Sequence, residues 1–356
     1  RASLSNQSDF SWTLDNLIYY DKEFGKHSVG LTLLQSATGY HYEESSMAAE
    51  GIPLESAKWN ALSKENVSLL DEWNSGLIEK QLLSYMFRVN YDYNNKYLLT
   101  VSGRWDGASQ LAEGNKWAFF PSAALGWRLD QEEFLKDVTW LNQLKFRLGV
   151  GVTGNSAIDP YQTKGAIVSL YYPFGSALAP GYAASEPLIK DGAVAMANKN
   201  LSWEKTTQYN IGLDYSVLNG RISGVLDFYT SRTTDLLMAM TIPSLNGYTN
   251  TYANVGKTSN IGVDITLNTV NVKTRDFEWS TSINAAWQKD KIDELANGKE
   301  DDINNNWFIG QALGVIYGYE CGGLWKEEDA AEMAKFNAKG IPNNSKPHNH
   351  ASLFST

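Results

Sequence analysis

The feature that most constrains this chain is a two-residue alternation of apolar and polar side chains, repeated in segments of about ten residues. In the segment 85–93, for example, Tyr85, Phe87 and Val89 alternate with polar neighbours such as Arg88 and Asn90. Successive side chains of a β-strand point to opposite faces, so each segment predicts a strand with one apolar and one polar face. We count about ten such strands: residues 85–93, 97–105, 119–129, 144–152, 208–217, 222–231, 261–268 and 277–288, with weaker candidates at 10–20 and 26–40.

The connections between these segments alternate in length. Short or moderate turns are predicted at residues 21–25, 94–95, 130–143, 219–220 and 272–275, and long loops at 43–79, 106–116, 154–205 and 233–258. The pair Asn219-Gly220 suits a type I′ turn, in which both central residues have positive φ. A strand of ten residues, at ~3.3 Å per residue and ~40° of tilt, rises about 25 Å, the height of an outer-membrane apolar band. The pattern therefore predicts an all-β, antiparallel transmembrane barrel segment with periplasmic turns and extracellular loops.

The polar face is predicted to line the barrel lumen. A charge that faces hydrocarbon costs roughly 2–4 kcal/mol at the midplane of the bilayer, whereas a charge in a water-filled lumen does not. Aromatic residues near the strand ends, such as Tyr97, Trp105 and Trp287, suit the two membrane interfaces. The residues predicted to face the lumen are Arg88, Arg104, Arg147, Asp214, Asp227 and Asp264.

Composition and motifs exclude several other functions. The formal net charge of -10 disfavours nucleic acid as a partner, because phosphates are neutralised by an excess of Lys and Arg. A single cysteine, Cys321, permits neither an intrachain disulfide nor a thiolate zinc site. No nucleophile and base occur at a recognisable spacing, so we predict no catalytic residue, no metal site and no cofactor. The acidic and amide-rich segment 301–306 could contact Ca²⁺, but a hydrated loop is the better interpretation without EF-hand spacing.

Aromatic residues in the predicted loops are the candidates for substrate contact, because an aromatic face stacks on a sugar or on a peptide side chain. The alternative is that these residues pack the long loops against each other. They are Trp59, Trp73, Tyr171, Tyr172, Phe174, Tyr182, Tyr248 and Tyr252.

A second fold is compatible with the same periodicity: a secreted or surface-exposed soluble β-sandwich that binds glycans without transport. In that fold the apolar faces of two sheets would meet in a core. The aromatic strand ends and the polar opposite face favour the barrel.

Several ordered stretches resemble the SusC/RagA-type TonB-dependent outer-membrane transporters of Bacteroidota. The resemblance covers roughly residues 83–325. It rests on residues 97–109 (YLLTVSGRWDGAS), 117–122 (WAFFPS), 126–128 (GWR), 151–155 (GVTGN), 201–214 (LSWEKTTQYNIGLD), 233–237 (TTDLL) and 254–256 (NVG).

This resemblance implies a 22-stranded barrel in the outer membrane, closed by an N-terminal plug. It also implies a SusD-like surface lipoprotein as partner, an oligosaccharide or peptide as substrate, and energy delivered through TonB-ExbB-ExbD. Residues 1–330 are expected to be part of the barrel, and residues 331–356 an irregular tail such as a frameshift or a wrongly assigned end would produce. The plug and the TonB box are expected to be missing from this chain, and ten strands would leave two unpaired edges in lipid, so the chain is not expected to fold as a transporter alone.

Overall fold

The structure, a computed structural model, describes residues 1–52, 55–62, 69–163, 168–175, 177–183, 195–243, 245, 250–321 and 351–355. The strands are β1 (Ala2–Phe24), β2 (His27–Glu50), β3 (Leu69–Tyr93), β4 (Tyr97–Ala108), β5 (Trp117–Arg128), β6 (Leu141–Asn155), β7 (Val168–Phe174), β8 (Ala177–Ala183), β9 (Ala195–Met196), β10 (Glu204–Val217), β11 (Ile222–Thr234), β12 (Leu237–Thr241), β13 (Asn250–Asn254), β14 (Lys257–Lys273), β15 (Glu278–Glu294), β16 (Tyr317–Cys321) and β17 (Ala351–Ser355). Short 3-10 turns cover Glu55–Ala61, Leu129–Gln131, Glu133–Leu135 and Ile303–Asn305.

One antiparallel sheet of ten strands dominates the fold, which confirms the predicted class. Its order is β1-β2-β3-β4-β5-β6-β10-β11-β14-β15, so each strand pairs with the next long strand along the chain. The small strands β7, β8, β9, β12 and β13 lie within the long connections at one end of the sheet. The sheet is open: β1 and β15 form its two edges.

The tight turns at the other end have positive φ at their Asn and Gly residues, and the 219–220 turn has a further positive φ of 54° at Leu218, which its sequence does not predict. Asn94 and Asn95 have φ of 56° and 55°, and the amide of Lys96 donates to the carbonyl of Tyr93 over 3.0 Å. Asn219 and Gly220 have φ of 57° and 79°. Asn and Gly tolerate positive φ, and this is why these dipeptides close the hairpins.

The first three strands are much longer than predicted. β1, β2 and β3 contain 23, 24 and 25 residues, whereas β4 contains 12. β3 pairs with β4 only from Leu82 onward, so its first part forms a three-stranded extension with β1 and β2 at the loop end of the sheet. The prediction of a loop over residues 43–79 is therefore wrong at both ends, because residues 43–50 belong to β2 and residues 69–79 to β3. Trp73 accordingly lies in a strand. In this part both faces of the strands carry polar residues, so the sequence lacks the alternation that identifies a strand.

The two faces of the main sheet differ as predicted. One continuous row of cross-strand partners is apolar from β2 to β15: Val29, Tyr91, Leu99, Leu125, Leu148, Ile211, Phe228, Val263 and Trp287. On the opposite face, the row of cross-strand partners that lies three residues away along each strand consists of polar residues and one glycine. They are Thr32, Arg88, Ser102, Ser122, Gly151, Gln208, Ser231, Asn260 and Asp290. Apolar side chains also occur on the polar face, for example in β1–β3, where Leu17, Leu34 and Met86 are partners.

The sandwich alternative requires a second sheet over the apolar face. Among the described residues there is none, because the remaining sheets have only two or three strands. The apolar row is exposed instead: Leu125, Ile211 and Trp287 have 55%, 47% and 57% of their surface accessible. An apolar face of this extent without a covering layer needs lipid or another apolar partner.

Within the described ranges, no helix combines the length and the apolar character that a membrane crossing needs. Ala351–Ser355, inside the tail expected to be irregular, form β17, which pairs with β16.

Candidate functional site: the polar face and the loop end

The sheet places all six residues predicted to face the lumen on its polar face. Arg88 lies in the polar row itself, and Arg104 follows Ser102 of that row by two residues in β4. Residues separated by an even number of positions share a face of a strand. This places Arg147, Asp214, Asp227 and Asp264 on the same face, because each lies an even number of residues from its strand's member of the row. That this face lines a lumen remains a prediction.

Arg147 bridges two carboxylates across three strands. Its Nε donates to Asp214 Oδ1 over 2.9 Å, and its Nη2 donates to Asp227 Oδ2 over 3.0 Å. Asp264 is the cross-strand partner of Asp227, and the buried Asp227 Oδ1 has no hydrogen-bond partner among the described residues. Three carboxylates, those of Asp214, Asp227 and Asp264, are therefore grouped near one guanidinium.

Gly212 makes this bridge possible. It lies in β10 between Arg147 of β6 and Asp227 of β11. A Cβ atom at position 212 would lie 2.6 Å from Arg147 Cζ and 2.6 Å from Asp227 Oδ1, closer than real Cβ contacts allow. The missing side chain leaves the space through which the guanidinium crosses β10.

A second polar cluster lies nearer the loops. Arg104 Nε donates to both carboxylate oxygens of Asp106, over 2.7 and 2.9 Å, and its Nη2 donates to Ser84 Oγ over 2.9 Å. Asp106 and Ser84 are buried. The pair with Asp106 fixes the Arg104 side chain within β4, and its bond to Ser84 joins β4 to β3 on the polar face.

A small hydrophobic core anchors the loops next to this cluster. It consists of Ala108, Leu111, Phe120 and Trp203, all buried. The Phe120 and Trp203 rings meet edge to face at 5.2 Å, and the Trp203 indole donates to the carbonyl of Lys116 over 2.8 Å. Gly154 is required beside them, because a Cβ there would lie 2.0 Å from the Phe120 ring. Stretches that are distant in sequence are thereby packed over the end of the polar face.

Two open cavities lie among the loops. One of about 970 Å³ is lined by charged residues of both signs together with Tyr161, whose hydroxyl accepts from the amide of Glu79 over 3.3 Å. The other, of about 950 Å³, is lined by Met238, Met240 and Trp307 together with acidic and amide residues of the segment 297–305. Both have room for a small substrate group. Tyr161, which lies in the predicted loop 154–205, and Trp307 were not among the loop aromatics predicted from the sequence.

The predicted loop aromatics are only partly brought together. Tyr171, Tyr172 and Phe174 lie in β7 and Tyr182 in β8, so these four belong to one hairpin. Trp59 is exposed in a 3-10 turn under the ammonium group of Lys58, Trp73 is 80% exposed in β3, and Tyr252 lies in β13. Tyr248 lies outside the described residues. Their role in substrate contact remains a prediction.

The acidic segment 301–306 uses its carboxylates internally. Asp302 Oδ1 accepts from the amide of Asn305 over 3.2 Å, and Asp301 Oδ1 accepts from the amide of Ile309 over 2.7 Å. In the described part of the chain, no group of three or more His, Cys, Asp or Glu residues is arranged to hold a metal ion.

At the turn end, Glu132 joins neighbouring connections. Its carboxylate accepts from the indole of Trp127 over 3.0 Å, from the hydroxyl of Tyr97 over 2.8 Å and from the ammonium group of Lys96 over 3.2 Å. These hydrogen bonds, that of Trp127 above all, hold the pKa of Glu132 below its ordinary value. Two 3-10 turns, Leu129–Gln131 and Glu133–Leu135, lie on either side of Glu132.

The sequence is similar to a known family and to proteins of two bacterial species. A family model described as "TonB dependent receptor-like, beta-barrel" matches residues 2–328. The TonB-dependent receptor P3 of Formosa agariphila is 32% identical over 326 residues, covering 88% of this chain and 31% of the relative. The TonB-dependent receptor SusC of Bacteroides thetaiotaomicron is 38% identical over 255 residues, covering 68% of this chain and 24% of SusC.

Solved structures share this fold. The RagAB peptide transporter matches with a TM-score of 0.77 and 24% identity over 91% of this chain and 35% of that one. The RagAB peptide importer in its open-open state matches with a TM-score of 0.79. The chain thus spans about a third of the length of the relatives that it matches.

Proposed function

The chain belongs to the TonB-dependent receptor family of outer-membrane β-barrels, and from that premise we propose that it forms ten strands of a SusC/RagA-type nutrient importer. The whole protein would take up an oligosaccharide or a peptide together with a SusD-like surface lipoprotein. A plug domain elsewhere in the protein would receive energy through TonB-ExbB-ExbD. No catalytic step is part of this function, since transport by this family is not an enzymatic reaction.

The observation that carries the proposal is the contrast between the two faces of one open sheet. An exposed apolar row crosses the sheet on one side, and a polar row with Arg and Asp clusters crosses it on the other. In a closed barrel the first face would contact acyl chains, and the second would border water and whatever passes through it.

The loop end supports capture of a substrate. The core of Phe120 and Trp203 packs the loops over the polar face, and the two cavities open there. Charged and amide groups beside Tyr161 and Trp307 suit a polar substrate with hydrogen-bonding groups, which both oligosaccharides and peptides have. The sheet extension formed by β1, β2 and β3 stands at this end and offers surface for a lipoprotein partner.

Fractionation of cells that produce the full-length protein tests the proposal. We expect the protein in the outer-membrane fraction, with a gel mobility that changes on heating because the folded barrel resists detergent. A tagged copy should retain a SusD-like lipoprotein during purification, and uptake of a labelled oligosaccharide or peptide should stop when TonB is deleted. Recovery of the protein in the soluble periplasm, without heat-dependent mobility, would refute the proposal.

A further inference from the structure

Four basic residues lie on the apolar face near the loop end of β10, β11 and β15. They are named here the basic patch: Lys205, Arg232, Lys289 and Lys291. Arg232 and Lys291 are both cross-strand partners of Ser259, so they flank one residue of β14. Lys289 lies two residues from each of Lys291 and Trp287, and therefore on the same face.

The side chains of the basic patch are exposed and mostly unpaired. All four residues are exposed, and Lys291 is 3.2 Å from Asp293. Arg232, Lys205 and Lys289 make no ion pair within the residues that the structure describes. Nearby, Lys257 is paired with Glu294, so these two charges offset each other. The net charge of the basic patch therefore stays positive even when Asp293 is included.

Large exposed side chains lie directly beside the patch, toward the middle of the sheet. Trp287 and Tyr209 each have 57% of their surface accessible, and Phe228 has 43%. The patch therefore begins where the apolar surface ends, and its Lys and Arg stems can lie along that surface while their charged ends extend outward.

The same face is not basic elsewhere at the loop end. On β4 and β5 the corresponding outward residues are Trp105, Gly107, Trp117 and Phe119. On β3 they include Glu79 and Gln81. The positive charge is thus confined to one sector of the sheet, as expected for a site and not for a uniform interface belt.

We propose that the basic patch binds the phosphate-bearing headgroup of a lipid in the membrane leaflet at the loop end, with the acyl chains lying along Trp287, Tyr209 and Phe228. The charge complementarity is direct, since Arg presents a fork of donors that matches phosphate and Lys adds point charges. Basic residues beside an anionic membrane surface attract it with about 1 kcal/mol each. This inference rests on the proposed function in one respect, namely that the apolar face contacts lipid.

Native mass spectrometry of the full-length protein tests the proposal. The protein would be placed in nanodiscs that contain phosphatidylcholine and phosphatidylglycerol in equal amounts. It would then be released in the mass spectrometer, and the lipids that stay bound would be counted. We expect retained phosphatidylglycerol in the wild type. The triple variant Arg232→Gln, Lys289→Gln, Lys291→Gln should lose this preference by on the order of a hundredfold at low ionic strength, given about 1 kcal/mol per residue.

The matched control is the triple variant Lys22→Gln, Lys26→Gln, Arg275→Gln, which removes the same charge at the turn end of the sheet. It should keep the preference of the wild type. Equal loss in both variants, or no loss in either, would overturn the assignment of the lipid to the basic patch. Displacement of the lipid by inorganic phosphate alone would instead show a site for free phosphate.

The failure of this inference differs from the failure of the proposed function. A protein that reaches the outer membrane with heat-dependent mobility but shows no lipid preference contradicts only the basic patch. A protein that never enters the membrane contradicts the importer, and with it the premise of the patch.

Discussion

At the scale of single residues, the contacts on the polar face and at the loop end depend on glycines as much as on charged and aromatic side chains. The bridge from Arg147 to Asp227 crosses β10 at Gly212, and the Phe120 ring occupies the space that a side chain at Gly154 would need. The charged residues themselves were predictable, because charge on alternate positions of a strand indicates its polar face. Their pairing was not, since the partners are 67 and 80 residues apart in sequence.

Replacing Gly212→Ala should break the Arg147 bridge. The new Cβ would displace the guanidinium or the Asp227 carboxylate, and loss of a hydrogen bond to a charged group costs about 1.5–3 kcal/mol. We expect the heat-dependent gel shift of the full-length protein to occur at a lower temperature. Gly149→Ala is the control, because its nearest neighbour would be Asn210 Cβ at 3.9 Å. If the gel shift had the same midpoint temperature in the two variants, this role of Gly212 would be contradicted.

The carboxylate of Glu132 should make stability depend on pH. Its pKa is lowered in the folded protein by the Trp127, Tyr97 and Lys96 donors. Its contribution is therefore complete above the ordinary pKa of a glutamate, and is lost as the pH falls through the lowered pKa of the folded state. Glu132→Gln should flatten this acid dependence in unfolding experiments on the full-length protein.

Glu133→Gln provides the comparison for Glu132. Glu133 pairs with Lys136, but its side chain is 78% exposed, and exposed pairs contribute little. An acid dependence that is as flat in Glu133→Gln as in Glu132→Gln would show that the three donors to Glu132 are not responsible.

At the scale of elements, strand prediction succeeded where one face is apolar and failed where both faces are polar. The hairpins around Asn94-Asn95 and Asn219-Gly220 form where expected, since alternation and turn residues agree there. The extension of β1, β2 and β3 was missed, because its strands are held by backbone pairing and by polar contacts such as His41 with Glu43 and Glu79.

Phe120 and Phe119 are neighbours in β5 that should behave in opposite ways. Phe120 is 6% exposed and holds the loop core, whereas Phe119 is 41% exposed on the apolar face. Phe120→Ala should leave a cavity and loosen the loop of residues 109–116. Trypsin added to whole cells should then cleave the protein faster at Lys116. Phe119→Ala should leave this cleavage unchanged. Similar rates for both variants would mean that the core does not control the loop.

At the scale of the whole molecule, the orientation of the two faces decides the function. The described part of the chain forms one sheet of ten strands with two open edges, and the relatives that the chain matches are about three times as long. In the proposed barrel, further strands of the same protein pair with β1 and β15, because an unpaired edge in lipid leaves backbone groups unsatisfied.

A charge placed on either side of β5 tests that orientation. Leu125 lies on the apolar face, and Ala124 beside it lies on the polar face. Leu125→Arg should cost about 2–4 kcal/mol in the bilayer and reduce the amount of folded protein in the outer membrane. Ala124→Arg should be tolerated, because its side chain would enter water. If Ala124→Arg proved the more harmful, the assignment of the faces would be reversed.

The sequence by itself determined the fold class, the approximate number of strands, the apolar and polar faces and the positions of the tight turns. These properties follow from local periodicity and from the backbone preferences of Asn and Gly. Only the tertiary structure decided which Asp residues Arg147 meets, how far β1–β3 extend, and which loops Phe120 and Trp203 hold. Those depend on register between strands and on packing between distant segments, for which a single sequence carries no periodic signal.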